Sequence, residues 1–441
     1  MPYKFSKYNL GIVLDNENTL IANTATRKIH VCKTGKIPFS EQVEYRIEKA
    51  IEMELAKKGI LVKQDEDEVQ KVITSYEKHK FSNNSLSVTI SPTLACNMNC
   101  PYCFEKKGSS ASMNSKDEVG LVQFIRNNLP GKESLDITWF GGEPLMNIGS
   151  IERISDRLIR LCSFSGATYS AGIFTNGVLL NHANAIRLKR CRISSIRIGL
   201  DGHREIQDIM RPAKNGISQF DAVIRGIKTS LDHFPQVAIG VLVGRKNSDF
   251  TPLLNLIDQH NLKNLLIHLS RLLPEETIYG EENHFGVEEY AEKEVEFARL
   301  ASTTGIHHTV KSFNESGICS AGNLSHYAID PGLRVTRCWY NINDAQKSDG
   351  SIIDGNYIPN NRDSLWAEAT PFDSECKNCR FLPVCFGGCL KDRFKIPENN
   401  PSYKKDNICT PRLFNMGKLL EIEFGNNQVN QSTDAIMISN A

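Results

Sequence analysis

The sequence predicts an α/β fold, in which a partial (β/α)6 barrel of the TIM type lies between a small N-terminal module and a cysteine-rich C-terminal region. Strand-like and helix-like segments alternate over residues 86–305, which favours a parallel sheet with helices outside it. Residues 1–85 lack this alternation, and most cysteines fall at the start of the alternating region or after it. We therefore divide the chain into 1–85, 86–305, 306–425 and a tail, 426–441, that is expected to be flexible.

The first 85 residues are predicted to form a winged-helix-like module. Two short apolar segments, Leu10–Leu14 and Lys28–Cys32, flank a polar turn and predict a hairpin. A helix is predicted from about Ser40. The acidic run Asp65–Glu68 suits the positive end of a second helix.

The middle region supplies six candidate strands separated by helix-like stretches. The strands are Leu86–Ser91, Leu135–Phe140, Thr168–Phe174, Ser195–Leu200, Val237–Val243 and Asn264–Leu269. The helix-like stretches include Lys116–Asn127, Ile151–Cys162, Gln219–Leu231 and Val287–Ala301. Six such units suit an open barrel, whose functional residues are expected at the carboxyl ends of the strands.

Composition narrows the range of functions. The 441-residue chain has a net charge of +1, which gives no general attraction to nucleic acid or membrane surfaces. No apolar run is long enough to span a bilayer, and the start of the sequence lacks the apolar segment of a signal peptide. We therefore expect a reducing, cytoplasmic location, where disulfides are rare and grouped cysteines indicate metal sites.

Three cysteines form a C-x3-C-x2-C run directly after the first predicted strand: Cys96, Cys100 and Cys103. Thiolates are the usual ligands of a [4Fe–4S] cluster, so this loop can hold three irons and leave the fourth open to another ligand. Structural zinc normally takes four N or S ligands, usually from two separated pairs, which one run does not supply. The run therefore favours an iron–sulfur cluster, with zinc as the alternative.

With an aromatic residue, Tyr102, before its last cysteine, this run resembles the signature of the radical S-adenosylmethionine (SAM) enzymes. The resemblance implies that the three cysteines hold a [4Fe–4S] cluster to which SAM binds. A turn after the second strand, Gly141, Gly142 and Glu143, resembles the GGE motif that binds the amino group of SAM in this family. Paired glycines would let the backbone approach the ligand closely.

Polar residues at later strand ends extend the resemblance. The family's contacts to the ribose and carboxylate of SAM imply roles for Thr175, Asn176, Asp201 and Arg211. One departure is Gly199, which stands where relatives often carry a serine before Leu-Asp-Gly. No catalytic base is assigned, because Glu143, Asp201 and Asp330 are all carboxylates in plausible places.

The C-terminal cysteines resemble the seven-cysteine SPASM extension of sulfatase maturases and many peptide-modifying radical SAM proteins. The spacing from 376 to 389 matches that pattern, whereas the step from Gly332 to Cys338 is one residue longer. The resemblance implies two auxiliary [4Fe–4S] clusters. The outer cluster would take Cys376, Cys379, Cys385 and Cys409. The inner cluster, nearer to SAM, would take Cys319, Cys338 and Cys389.

Seven cysteines are one too few for two fully thiolate-ligated clusters. We therefore expect an open iron in the inner cluster, able to bind a substrate thiolate or another ligand. The residue after Cys338 separates two kinds of relative. Sulfatase maturases usually carry an aspartate there, whereas this chain has Trp339, which looks more like the maturases that crosslink ribosomally made peptides.

The resemblance thus implies a radical SAM peptide maturase. Such an enzyme uses a 5′-deoxyadenosyl radical to abstract hydrogen from a precursor peptide and closes an intramolecular C–S (thioether) or C–C crosslink. The N-terminal module would bind the leader of that peptide through a strand edge, or alternatively only pack on the barrel, and flavodoxin or ferredoxin would donate electrons. Two other functions stay open: an anaerobic sulfatase-type maturase that forms formylglycine, and a non-catalytic zinc-binding protein.

Overall fold

The computed structural model describes residues 3–33, 49–105, 109–274, 278–313, 318–395 and 404–425. Within these ranges the strands are β1 (Tyr3–Phe5), β2 (Asn9–Val13), β3 (Asn18–Asn23), β4 (Ile29–Lys33), β5 (Leu61–Lys63), β6 (Ser85–Ile90), β7 (Ser134–Trp139), β8 (Thr168–Thr175), β9 (Ile193–Gly199), β10 (Gln236–Val243), β11 (Leu266–Arg271), β12 (His307–His308), β13 (His326–Ile329), β14 (Arg334–Thr336), β15 (Gly350–Ile353) and β16 (Asn356–Pro359). The α-helices are α1 (Lys49–Lys57), α2 (Glu68–Lys80), α3 (Ser115–Asn128), α4 (Ile148–Ser165), α5 (His182–Arg190), α6 (Arg204–Met210), α7 (Phe220–His233), α8 (Thr251–Gln259), α9 (Ile278–Asn283), α10 (Val287–Thr304), α11 (Asn361–Glu368), α12 (Ser374–Asn378), α13 (Leu382–Cys385), α14 (Leu390–Arg393) and α15 (Arg412–Gly425).

The six predicted barrel strands are β6 to β11, each within two residues of its predicted bounds. They pair in parallel and in chain order. Alternate residues of each strand enter the apolar core, as Leu135, Ile137 and Trp139 do on β7. The prediction of a partial α/β barrel is confirmed.

The sheet continues beyond the barrel into the C-terminal region. β13 pairs in parallel with β6, and β14, β15 and β16 follow it as an antiparallel meander. At the other end β12 adds to β11. The eleven strands β6–β16 therefore form one sheet that joins the barrel to the cysteine-rich region.

The N-terminal module contains two small sheets. β1 pairs with β5, and β2, β3 and β4 form a three-stranded antiparallel sheet. The predicted hairpin is wrong in its pairing, because the polar turn joins β2 to β3, and β4 is a third strand on the far side of β3. The helix predicted from Ser40 falls partly outside the described residues, and the tail 426–441 lies wholly outside them.

This module packs against the cysteine-rich region. Tyr8 and Tyr76 share an apolar cluster with Phe372 and Cys376. The Thr24 hydroxyl donates to the carbonyl of Arg380. The N-terminal module is thus held next to the C-terminal cysteines. Neither of the two predicted roles, leader binding or packing on the barrel, specified this arrangement.

None of the helices that the structure describes is long and apolar enough to cross a membrane.

A buried histidine gives the folded protein a predicted sensitivity to acid. His326 on β13 is 4% exposed, its Nδ1 lies 3.2 Å from the Ser87 hydroxyl, and its Nε2 has no partner in the described part of the chain. Burial, and then the charge of Arg337, lower the pKa of His326 to about 4. An unfolded histidine titrates near 6.5. The unfolded state therefore binds more protons below pH 6.5, and stability falls as the pH falls.

We expect His326→Gln to remove about 1 kcal/mol of the stability loss between pH 7.5 and pH 5.5. Urea unfolding of the anaerobic protein at several pH values measures this loss. The matched control is His307→Gln, at an exposed position, which should keep the wild-type pH dependence. An unchanged slope for His326→Gln would show that this histidine does not cause the acid sensitivity.

Candidate functional site

The three early cysteines lie in the loop that follows β6, at the carboxyl end of the barrel. Burial raises the pKa of Cys96 to about 11, and the charges of Glu143 and Cys100 add to the rise. Burial also raises the pKa of Cys103 to about 12, with contributions from Glu105, Cys100 and Cys96. Three half-buried thiols this close together are costly to ionise in the free protein. A bound metal cluster would offset that cost, because its positive charge stabilises the thiolates.

The GGE turn lies against the chain that leads into this cysteine loop. The amide of Gly142 donates to the carbonyl of Thr93 (3.1 Å), and that of Glu143 donates to the carbonyl of Ala95 (2.8 Å). A Cβ on Gly142 would collide with the carbonyl of Ala95, and Gly141 has a φ of +111°. The glycines thus allow two loops to pack together. The sequence predicted only that they would let the backbone approach a ligand closely.

Glu143 joins the ends of two strands. Its buried carboxylate accepts hydrogen bonds from the Thr175 hydroxyl (2.7 Å) and from the amides of Asn176 (2.8 Å) and Leu145 (3.1 Å). The Asn176 side chain in turn donates to Asn97 Oδ1 (2.7 Å) and lies 3.9 Å from Cys96 Sγ. Burial raises the pKa of Glu143 to about 6. These residues form one network that positions the cysteine loop over β7 and β8.

Tyr102, Asp201 and Arg211 form a second network. Arg211 Nε donates to Asp201 Oδ2 at 2.7 Å, the Tyr102 hydroxyl donates to the same oxygen, and the Leu242 amide donates to Oδ1 at 2.8 Å. This carboxylate is fully buried. The structure thus brings Tyr102 from the cysteine loop to Asp201, which follows β9, and to Arg211, which follows α6.

Arg211 also explains the glycine at position 199. A Cβ on Gly199 would overlap the guanidinium group of Arg211. The space that a serine side chain would need is therefore filled by the arginine that pairs with Asp201.

The candidate bases are engaged within the protein. Glu143 and Asp201 accept the hydrogen bonds described above. Asp330 accepts from the amides of Gly332 and Arg334 and from Arg334 Nε at 2.6 Å. Glu105, which the sequence reasoning missed, differs from them: its Oε2 is buried without a partner among the described residues, and burial raises its pKa to about 8.

The late cysteines fall into two groups by their electrostatic interactions. Burial raises the pKa of Cys338, and the charges of Cys319 and Cys389 raise it further. For Cys385, burial raises the pKa to about 12, and the interacting thiols are Cys379, Cys376 and Cys409. These interactions link cysteines that the resemblance assigned to the same cluster, and the cluster ligands themselves stay a prediction.

No three His, Cys, Asp or Glu side chains of the described ranges are arranged to share one metal ion. A [4Fe–4S] cluster does not need such convergence, because each thiolate binds a different iron. The donor type and the grouping of the thiols therefore fit clusters of this kind.

Glycines shape the loop between Cys385 and Cys389. Gly387 and Gly388 have φ values of +84° and +79°, and a Cβ on Gly388 would collide with the carbonyl of Ile408. Ile408 precedes Cys409, so the glycine contact brings the last cysteine to this loop. Arg393 Nη2 lies 2.9 Å from Cys376 Sγ, where its positive charge would stabilise a thiolate.

Aromatic side chains connect the barrel to the inner cysteine group. The ring of Trp339 lies 5.2 Å from that of Phe140, at the end of β7, and 5.6 Å from that of Phe104 in the cysteine loop. Phe104 stacks on Tyr340 at 4.3 Å, and Phe140 contacts Phe174 at 5.7 Å. The sequence reasoning singled out Trp339 but missed its partners, because their proximity depends on three separate parts of the chain.

Comparison with known proteins agrees with this geometry. The radical SAM superfamily profile matches residues 90–257, from the end of β6 into α8. The serine-type anaerobic sulfatase-maturating enzyme of Klebsiella pneumoniae is 36% identical over 153 residues, which are 34% of this chain and 38% of that protein. An uncharacterized protein of Methanocaldococcus jannaschii is 31% identical over 157 residues, 35% of this chain and 52% of that protein. The chain thus spans about two fifths to one half of these curated relatives.

Two solved structures resemble most of the chain. That of anSMEcpe with bound AdoMet and Cp18Cys peptide has a TM-score of 0.60 at 18% identity and covers 78% of this chain and 100% of that chain. Streptococcus suis SuiB bound to the precursor peptide SuiA has a TM-score of 0.50 at 15% identity and covers 92% of this chain and 100% of that chain. At these identities the likeness establishes the fold alone.

Proposed function

We propose that this chain, whose residues 90–257 are a radical SAM domain, is a maturase that crosslinks a ribosomally made precursor peptide. It would abstract hydrogen from the peptide and close an intramolecular C–S (thioether) or C–C bond. The observation that carries the proposal is the apolar wall formed by Trp339, Phe140 and Phe104. An indole stands where sulfatase maturases usually place a carboxylate.

Three groups of cysteines would each hold one [4Fe–4S] cluster. Cys96, Cys100 and Cys103 would bind the cluster to which SAM attaches, and the two late groups would bind the inner and outer auxiliary clusters. When bound, the first cluster and SAM would supply the radical that removes a hydrogen atom from the substrate. The inner group has three thiols, so we propose that one of its irons is open to a substrate thiolate.

The chain itself would position and shield the reacting groups. The Glu143–Thr175–Asn176 network fixes the cysteine loop, and the Tyr102–Asp201–Arg211 network fixes the end of β9 beside it. The aromatic wall would shield the reacting carbon, because solutes with weak S–H or C–H bonds, or oxidants, would otherwise consume the radical in side reactions. Closing the bond removes two hydrogens from the peptide, one as an atom and one as a proton whose electron passes to an acceptor. The inner auxiliary site is suited to that acceptor role because it adjoins the wall.

The proposed partners are the precursor peptide and a reduced electron carrier such as flavodoxin or ferredoxin, in a cytoplasmic setting. Residues 1–85 would bind the leader of the peptide. Their contacts with the cysteine-rich region, through Thr24 and Tyr76, support this role because a leader held there would lie near the auxiliary sites. The structures of anSMEcpe and SuiB with peptides are consistent with a peptide substrate.

A second candidate is a maturase that forms formylglycine. It is favoured by the 36% identity to the serine-type sulfatase-maturating enzyme. Burial raises the pKa of Glu105 to about 8, so its carboxyl group would accept a proton in that reaction only when the pH is high enough to ionise it.

The test is anaerobic reaction of the reconstituted protein with SAM, a reductant and the short peptide encoded beside its gene, read by mass spectrometry. A crosslinked peptide should lose two hydrogens and gain no reactivity towards a hydrazide. Formylglycine made from serine also loses two hydrogens, but its aldehyde reacts with hydrazide, and that result would replace our proposal by the second candidate. Iron and sulfide analysis separates both from a zinc-binding protein.

A further inference from the structure

We propose that Arg197 is an anion-binding residue inside the barrel and that it binds a carboxylate of the peptide substrate. This inference rests on the proposed function, because it names the chemical class of group that the substrate presents. None of the sequence motifs indicated that Arg197 binds an anion.

Arg197 lies on the inner side of β9. Its neighbours Ile196 and Ile198 are buried in the core that packs against the helices, whereas Arg197 is only partly buried. Since side chains alternate between the faces of a strand, Arg197 points to the opposite side, into the barrel. Its guanidinium carbon lies 4.8 Å from the centre of the Phe174 ring, on the adjacent strand β8.

The next strand, β10, places Ala238 in register with Arg197 and places Gly240 beside the outer part of its side chain. Gly240 on β10 has no side chain, and a Cβ there would lie 3.5 Å from Arg197 Cδ. Beyond it, His268 on β11 is paired in register with Gly240. The arginine thus occupies an interior space bounded by an aromatic ring, a glycine and a histidine.

Arg197 has no counter-charge among the residues that the structure describes. None of them forms an ion pair or a hydrogen bond with its guanidinium group. Burial lowers the pKa of Arg197, and burial together with the charge of Arg197 lowers the pKa of His268 to about 4. The histidine is therefore neutral at pH 7 and adds no charge. A partly buried cation without a partner is unfavourable, and an incoming anion would relieve that cost.

The surroundings favour a carboxylate as the anion. Phe174 contacts Phe140, which contacts Trp339, so the cation lies at the end of the aromatic wall. Hydrogen bonds between a guanidinium group and a carboxylate are strong and commonly bidentate, and low polarity around them increases their strength. Arg211 cannot serve instead, because Asp201 already pairs with it.

Two molecules could supply a carboxylate: the peptide, through Asp, Glu or its C-terminus, and SAM. We assign the peptide, because Arg197 is paired in register with Phe174 and so lies further from the carboxyl ends of the strands than Thr175, Asn176 and Asp201. The experiment distinguishes the two sources.

The probes are radiolabelled N-acetylglycine, which carries a carboxylate, and N-acetylglycinamide, which does not. Their binding to the cluster-reconstituted protein is measured by equilibrium dialysis, with and without SAM. We expect N-acetylglycine to bind in the presence of SAM and the amide not to bind. Arg197→Met should weaken N-acetylglycine binding by about tenfold or more, and Arg197→Lys should retain part of it. Arg160→Met, at an exposed arginine of α4, is the matched control and should bind as wild type does.

Equal binding of the acid and the amide, or unchanged acid binding by Arg197→Met, would overturn the inference. Loss of SAM affinity in Arg197→Met, together with competition between SAM and N-acetylglycine, would assign the arginine to SAM and overturn the peptide assignment. Peptide modification reports separately on the proposed function. Carboxylate binding through Arg197 with no modified peptide would count against the maturase proposal alone.

Discussion

Replacing Cys96 by alanine is expected to abolish the formation of 5′-deoxyadenosine from SAM. The thiol is one of three in the loop after β6, and it contacts the Met98 amide (3.4 Å) and the Asn176 side chain (3.9 Å). Losing one of three protein ligands should release the SAM-binding cluster. The measurement is deoxyadenosine yield by chromatography, with iron counted in the same sample.

The iron count makes this prediction specific. Cys96→Ala should lose about four irons per chain and keep those of the late cysteine groups. The control is Cys191→Ala, at a buried thiol outside all three groups, which should keep the full iron content and the activity. Deoxyadenosine formation near the wild-type level in Cys96→Ala would refute the cluster assignment, and uniform loss of all iron would indicate a general folding defect.

The largest effect on stability is expected from Asp201→Asn. The substitution removes the counter-charge of Arg211, whose guanidinium group lies 2.7 Å from the buried carboxylate, and disturbs the hydrogen bond from Tyr102. Breaking a buried ion pair on one side leaves an unpaired charge and costs about 3–5 kcal/mol. Urea unfolding of the anaerobic protein measures this cost.

Two further variants test the cause. Asp201→Asn combined with Arg211→Met should recover part of the lost stability, because neither charge remains. Asp156→Asn breaks the exposed pair with Arg160, in which both side chains are more than half exposed, and should change stability by less than about 1 kcal/mol. An equal loss of stability in Asp201→Asn and Asp156→Asn would show that burial of the Asp201–Arg211 pair does not increase the cost of breaking it.

Local periodicity was sufficient to predict the barrel but not the edges of its sheet. The six strands carry buried residues at every second position, and the helices between them have clear apolar faces. β13 was not predicted, because four residues are too few to show a strand pattern in the sequence. They form a strand by pairing with β6. In the N-terminal module, β3 was missed because Asn18 at its start was taken as part of the polar turn, and Leu10–Leu14 was therefore paired with the wrong strand.

The candidate site was predictable to the extent that its residues lie in short motifs. The cysteine groups and the strand-end residues could be named from their spacing and their resemblance to a family. The pairing of Asp201 with Arg211 was not predictable, since both had been assigned to SAM. Arg197 was overlooked, although a charged residue between Ile196 and Ile198 in a barrel strand is a signal that sequence analysis could use.

The shared sheet limits how this protein can be recombined with its relatives. A chimaera joined at residue 305 would separate β13 from its neighbour in space and leave β6 as an unprotected edge, which invites association with other chains. A junction placed after Asp330 would carry β13 along with the barrel, but it would cut the turn that pairs β13 with β14. Exchange of cysteine-rich regions between this chain and related proteins should therefore keep strands β6 and β13–β16 together.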